Sequence, residues 1–254
     1  MKAFCITLKG CEDRQEATLN TLQRINLSCE VFFGVDARKD AHPLLERLDQ
    51  RQFQFNMGRP CIMGEAGCYA SHYLLWEKCV ELNEPIIIFE DDLSIEDDMF
   101  LNTLKIVEEN ISKCGYIRTE NTSRRGLLYN VKQYGDQQLV KYLKVPQCTT
   151  SYAISPSAAK AFIAASQTFQ FPVDVFLRNT WLHRQTMFGV KQAGLKGGNQ
   201  PSIIGNRKRQ DNKNWLIATM KLVNKIKSMT LNLLMNVYQL IKLDCEYGPK
   251  RFNG

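Results

Sequence analysis

Residues 85–98 read PIIIFEDDLSIEDD, so an unbroken apolar run ends on three adjacent carboxylates, Glu90, Asp91 and Asp92. Four consecutive apolar residues after a proline carry no amphipathic period and describe a strand covered on both faces, as inside a parallel sheet. Adjacent carboxylates repel one another, so a strand that delivers three of them to one point needs compensation there. Side chains alternate along a strand, which puts Glu90 and Asp92 on one face and Asp91 on the other. In open parallel sheets, ligands bind beyond the carboxyl ends of the strands. Hard cations such as Mg²⁺ or Mn²⁺ take carboxylate and phosphate oxygens, so the triplet suggests a metal that bridges the protein to a diphosphate. The bland alternative is a solvated acidic turn. Asp97 and Asp98, just ahead of a helix at Phe100, fit that alternative as favourable charges at a helix start.

The rest of the chain supplies the partners of such a strand. Ala3–Leu8 reads as a buried strand, Cys11–Ile25 as a helix and Glu30–Val35 as a second strand, a β-α-β opening that argues for a parallel sheet. Over 64–82, Ala66, Tyr69, Tyr73, Trp76 and Val80 recur at helical spacing. Further strands are expected near Tyr116–Arg118 and Thr149–Ile154. Ser155 is a good N-cap and Pro156 a good first helical residue for the helix that follows. The expected architecture is an α/β domain over 1–205 with a mostly parallel sheet, followed by a separate helical segment over 206–254.

Charge separates those two parts. From Arg207 onward there are ten Lys/Arg against three Asp/Glu, so the net +7 of the chain resides in its last 48 residues. Within 206–243, Leu216, Met220, Val223, Ile226, Leu231, Leu234 and Val237 keep a helical spacing, with Lys221, Lys225 and Lys227 between them. The longest uncharged stretch, Ser228–Ile241, is 14 residues, short of the roughly 20 that span a bilayer. An interfacial helix that meets anionic lipid through its lysines, with Trp215 at headgroup level, competes with helices packed on the domain or on another subunit. The opening MKAFCITLKGCEDR turns polar within nine residues, unlike a secretory leader, so the expected location is cytoplasmic. Nine scattered cysteines without a CxxC pair read as free thiols.

Two further stretches offer chemistry. In GEAGCYASHYLLWEKC, 64–79, Glu65 opens the helix, while Ser71 and His72 lie about two turns in, off the aromatic stripe. Taken alone, a single helical histidine is more often structural than functional. In FPVDVFLRNTW, 171–181, Asp174 stands alone among apolar residues and is either a helix cap or a functional carboxylate.

Taken together, GEAGCYASH at 64–72, IIIFEDD at 86–92, TSYAIS at 150–155 and FPVD at 171–174 resemble, in order and spacing, the motifs of the family 25 glycosyltransferases of lipooligosaccharide and lipopolysaccharide biosynthesis. The resemblance covers roughly residues 1–205. It implies a GT-A-like fold and transfer of a hexose, chiefly galactose in an inverting β-1,4 linkage, from a UDP-sugar to a lipid-linked oligosaccharide. It further implies Mn²⁺ or Mg²⁺ held by Asp92 and Glu90, with His183 as an extra ligand, and a donor pocket lined by Asp36, Arg38, Ser71, His72 and Asp91. Asp174 would be the base that takes the acceptor proton, with Glu65 in reserve. A lipid-linked acceptor would place the protein on the cytoplasmic face of a bacterial inner membrane. Family 25 glucosyl transfer is the near alternative. The distant one is a metal-dependent phosphatase or phosphotransferase, which would want a strand-borne lysine that is not apparent. Nucleic-acid binding is not expected, because the basic segment spaces lysines with Leu, Met and Ile instead of arginines with exposed aromatics.

Overall fold

The computed structural model describes residues 1–121, 127–198 and 214–247, with side chains as far as Leu243. The boundary expected at 205/206 and the basic residues 207–213 lie outside the described residues. The elements run β1 (Lys2–Thr7), α1 (Glu12–Arg24), β2 (Glu30–Phe33), α2 (Gln50–Met57), α3 (Met63–Leu82), β3 (Ile86–Glu90), β4 (Leu93–Ile95), α4 (Asp97–Cys114) and β5 (Tyr116–Arg118). They continue through β6 (Leu128–Tyr134), β7 (Gln137–Tyr142), β8 (Ser151–Ile154), α5 (Pro156–Ala165), α6 (Val173–Arg178), α7 (Thr180–His183), β9 (Phe188–Lys191), β10 (Leu195–Gly197) and α8 (Trp215–Tyr247).

Eight strands form one sheet in the order β2-β1-β3-β8-β5-β9-β7-β6, while β4 and β10 make a small antiparallel ribbon. The sheet is mixed, which corrects the expectation of a mostly parallel one. β1 runs parallel to β2 and β3, and β5 runs parallel to β9. β8, however, is antiparallel to both β3 and β5, and the hairpin β6–β7 is antiparallel and joined to β9 by β7. Because β8 opposes both of its neighbours, β3 and β5 point the same way and end at the same edge. The α/β character and the consistency with a GT-A-like fold stand.

The apolar run behaves as a doubly covered strand should. Ile86 and Ile88 face a core built with Trp76, Tyr152 and Phe162, while Ile87 and Phe89 face one built with Phe100 and Val107. The first core rests on α3, whose Tyr69 stacks on Phe169 at 4.1 Å between ring centroids and whose Trp76 meets Phe162 edge-on. α4 closes the second, capped by Gly115 after its last turn.

Within the C-terminal segment the described residues form one helix, α8. Its inward stripe mixes apolar residues, among them the buried Ile217 and Leu243, with polar ones. Asn224 donates to Asn56, Asn232 to Asn179 and Asn236 to the Leu143 carbonyl, and Gln239 donates to the Gln185 carbonyl. Among the described residues, no helix is long and apolar enough to cross a membrane.

Beneath α8 lies Lys141, fully buried on β7, its ammonium donating to Asn236 Oδ1 at 2.5 Å and to the Tyr142 carbonyl. Burial pulls its pKa down from 10.5 to about 8. Below about pH 8 the lysine is protonated whether the chain is folded or not. Between about 8 and 10.5 the unfolded chain holds the extra proton, so this group makes stability rise with pH across that window. Lys141→Met should therefore gain its greatest advantage over wild type at pH 7 and lose it progressively towards pH 10, by roughly 3 kcal/mol across the window. Urea denaturation of the two proteins at a series of pH values measures that difference.

Candidate functional site

The carboxyl ends of β1, β2 and β3 meet the N-terminal half of α3 around a cavity of about 320 Å³, within the size range of small-molecule sites. Seven of the ten residues expected at the site line it: Asp36, Arg38, Ser71, His72, Glu90, Asp91 and Asp92. Local packing explains how they converge. Gly67 lets α3 approach so closely that a Cβ there would collide with the Val35 carbonyl. Ser71 locks the approach by donating to the Gly67 carbonyl at 2.7 Å and accepting from the Val35 N–H at 2.9 Å. Ser71 thus forms cavity wall while its hydrogen bonds serve the fold.

The triplet at the end of β3 divides as the alternation of side chains predicts. Asp91 turns towards β1 and α1, where Thr7 Oγ1 donates to one oxygen at 2.7 Å and Arg14 donates to the other at 2.7 and 3.1 Å. Both its oxygens are engaged, so its first role is to fasten the strand end. Glu90 turns towards α3 and β8. Thr149 donates to it, and His72 Nε2 faces the same Oε1 at 3.5 Å. Burial would raise its pKa. His72, Thr149 and the Arg118 guanidinium outweigh burial and hold it below the usual carboxylate range. Asp92 also faces the cavity, and its carboxylate has no side-chain or backbone partner among the described residues. Its carbonyl accepts from the Gly198 N–H at 3.0 Å, and a Cβ at Gly198 would fall on Asp92 Oδ1.

Asp36 and Arg38 form a bidentate pair at 2.7 and 2.9 Å on the opposite wall, and the pairing holds Asp36 below its ordinary pKa. His72 belongs to a buried polar chain in which Tyr152 Oη lies 2.9 Å from both His72 Nδ1 and Trp76 Nε1. The indole can only donate, so the hydroxyl accepts from Trp76. Its own hydrogen then goes to Nδ1, which places the imidazole proton on Nε2, towards Glu90.

Three expected residues lie elsewhere. His183 was expected to be an extra metal or phosphate ligand. Instead it is buried between Phe162 and Phe176, with Nε2 on the Leu177 carbonyl at 3.2 Å and Nδ1 accepting from the Gln185 N–H at 3.2 Å. Burial lowers its pKa to about 4. With both nitrogens engaged in an aromatic core, it is a structural histidine. Glu65, the reserve base, is gripped by Arg59 through two 2.7 Å bonds and caps the first turn of α3. At 1% side-chain exposure it has no path to an acceptor hydroxyl. Asp174 stands in the first turn of α6, accepts from the Val175 N–H at 2.8 Å and feels the same Arg59. It is partly exposed but outside the cavity wall.

The structure also adds residues that motif reading missed. Cys68, one turn before His72, brings its sulfur within 4.8 Å of the His72 and Glu90 ligand atoms, a set able to hold a cation. Glu120 lies two residues beyond the end of β5, as Glu90 closes β3. It pairs with Arg118 at 2.7 Å, both side chains 3% exposed. Burial pushes the Glu120 carboxyl up, Glu90 adds to that, and Arg118 opposes it. The signal was available, since Glu120 is a second acid at a strand end pointing to the same edge.

Comparison with known proteins agrees with this geometry. The sequence profile of Glycosyltransferase family 25 (LPS biosynthesis protein) matches residues 1–177. Similar proteins include the lipooligosaccharide biosynthesis protein lic2B of Haemophilus influenzae, 26% identical over 63% of this chain and 62% of its own length. Procollagen galactosyltransferase 1 of Danio rerio is 31% identical over 37% of this chain and 17% of its own. The inactive glycosyltransferase 25 family member 3 of Mus musculus is 24% identical over 69% of this chain and 31% of its own. The chain thus spans less than a third of these two animal relatives.

Gly67→Ala tests how the cavity wall is built. On helix propensity alone, alanine would stabilise α3 by about 1 kcal/mol. Against the Val35 carbonyl it should instead destabilise by roughly 1–3 kcal/mol, read as a lowered urea midpoint at unchanged slope.

Proposed function

The chain belongs to glycosyltransferase family 25, and from that premise we propose that it transfers a hexose from a UDP-sugar to an oligosaccharide acceptor of lipooligosaccharide or lipopolysaccharide. Galactose in an inverting β-1,4 transfer is the form we favour; glucose is the alternative. The observation that carries the reading is the cavity at the ends of the parallel strands, where Asp92, without a side-chain partner among the described residues, stands beside the ionised Glu90. Among the described residues, no lysine lines that cavity, which argues against the phosphotransferase alternative.

A divalent cation fits the donor set, since Glu90 and Asp92 from one strand end line a cavity and Asp92 has no side-chain partner among the described residues. Glu90 and Asp92 would hold Mn²⁺ or Mg²⁺, which when bound neutralises the charge that develops on the departing diphosphate. The protein's own groups do the rest. Asp36 and Arg38, at the end of β2, offer a paired carboxylate and guanidinium to the uridine. His72 donates to Glu90 through Nε2 and keeps it ionised. Asp91 holds the strand end in register through Thr7 and Arg14. We assign the acceptor side to Asp174 as the base that takes the hydroxyl proton, because it is the remaining motif carboxylate with solvent access. A lipid-linked acceptor would place the reaction on the cytoplasmic face of a bacterial inner membrane.

Purified protein incubated with UDP-galactose, UDP-glucose and UDP-N-acetylhexosamines, with Mn²⁺ or with EDTA, should release UDP slowly from one donor and only with the metal. Absence of UDP release, together with absence of UDP binding in the presence of Mn²⁺ by calorimetry, would sink the reading. Asp92→Asn should cut turnover by about a hundredfold or more with folding intact. For Asp174→Asn the expected result is unchanged UDP binding and a turnover loss of roughly 10²–10⁴-fold. Retained turnover would remove Asp174 as the base.

A further inference from the structure

Helix α8 buries Ile217 and Leu243 against the body and yet keeps a second apolar strip on its outward face. Its asparagines and Gln239 face the body, while Trp215, Leu222, Ile226, Met229, Leu233 and Val237 point outward, each at least half exposed and Trp215 76% exposed. Neighbouring Leu234 and Tyr238 widen the strip. The helix is 33 residues long, about 50 Å at 1.5 Å per residue, so the apolar strip is far larger than the scattered exposed residues of an ordinary surface.

Two observations say what covers it. Between Asn214 and Leu243 the chain carries Lys221, Lys225, Lys227 and Lys242 and not one acidic residue. The first three are exposed, Lys221 beside Gly58 and Lys227 over the Trp181 ring, at the margin of the helix towards the body. A second copy docking helix to helix would bring these lysines together without an opposing charge, and the outward spacing of 4, 3, 4 and 4 from Leu222 to Val237 does not sustain the alternating repeat of a coiled coil. An anionic lipid surface answers both needs, taking apolar side chains below the headgroups and lysines among the phosphates. The helix cannot cross the bilayer, so it would lie along it.

We propose that the outward face of α8 docks this protein lengthwise on an anionic bilayer surface, held by its apolar strip and by Lys221, Lys225 and Lys227. The polar contacts of Asn224, Asn232, Asn236 and Gln239 with the domain hold that face outward as a rigid rail. The inference does not depend on the donor sugar or on transfer activity.

Co-sedimentation of the full chain with phosphatidylcholine vesicles, and with vesicles carrying phosphatidylglycerol, tests it. The expected result is association with the anionic vesicles at least roughly tenfold stronger than with the neutral ones. The triple variant Ile226→Ser/Met229→Ser/Leu233→Ser should lose it, and Lys225→Glu/Lys227→Glu should weaken it roughly tenfold at low salt. Both variants alter exposed residues, and circular dichroism verifies that they fold. No association, equal association with neutral vesicles, or association unchanged by either variant would overturn the proposal. So would a dimer in analytical ultracentrifugation that the triple variant dissolves while vesicles remain unbound.

Discussion

The ion pair between Asp91 and Arg14 makes the rest of the site possible. Three adjacent carboxylates at the end of a buried strand would repel one another. The middle one is removed from that conflict by a guanidinium from α1 and a threonine hydroxyl from β1. Both side chains are largely shielded from solvent, at 16% and 9% exposure, so the pair is less screened than a surface bridge and its loss would leave a charge in a poor environment. The same contact ties β3 to β1 and to α1. Fixing the strand end in this way leaves Glu90 and Asp92 at the cavity, one supported by His72 and Thr149, the other without a side-chain partner among the described residues.

Much of this was legible because it follows from local rules. An apolar run with no period requires cover on both faces, and Ile86–Phe89 received it. Alternation along the strand separated Asp91 from its neighbours correctly. Strand direction was not legible, because the polarity of β8 is decided by the path of the chain through the β6–β7 hairpin and not by residues 151–154. Roles assigned by residue type alone fared worst. His183 has the chemistry of a ligand, but Phe176, the Leu177 carbonyl and the Gln185 N–H, all within seven residues of it, hold it in an aromatic core. Glu65 has the chemistry of a base, yet Arg59, six residues earlier, occupies both its oxygens. In each case a partner close in sequence but invisible to motif reading took the group first.

Helix α8 illustrates a different limit. Its apolar spacing was evident in the sequence and is ordinarily taken to mark the side that packs. Here asparagines pack beside Ile217 and Leu243, while a second apolar strip stays exposed. A periodic pattern reports that a helix has two faces, but the partner decides which face is buried. Asparagines that meet asparagines, as in Asn224 with Asn56 and Asn232 with Asn179, leave no trace in hydropathy.

The hydrogen shared between Tyr152 and His72 acts as a filter on what the cavity can hold. Cys68, His72 and Glu90 would suit a soft cation such as zinc, but ligation through Nε2 would force the imidazole proton onto Nδ1. Tyr152 would then accept from both His72 and Trp76, and its own hydroxyl hydrogen would be stranded in a fully buried place, at a cost of about 1–3 kcal/mol. A hard cation bound through carboxylate oxygens alone leaves that hydrogen where it is. An indole one turn behind His72 thereby biases the pocket against thiophilic metals without touching any of them.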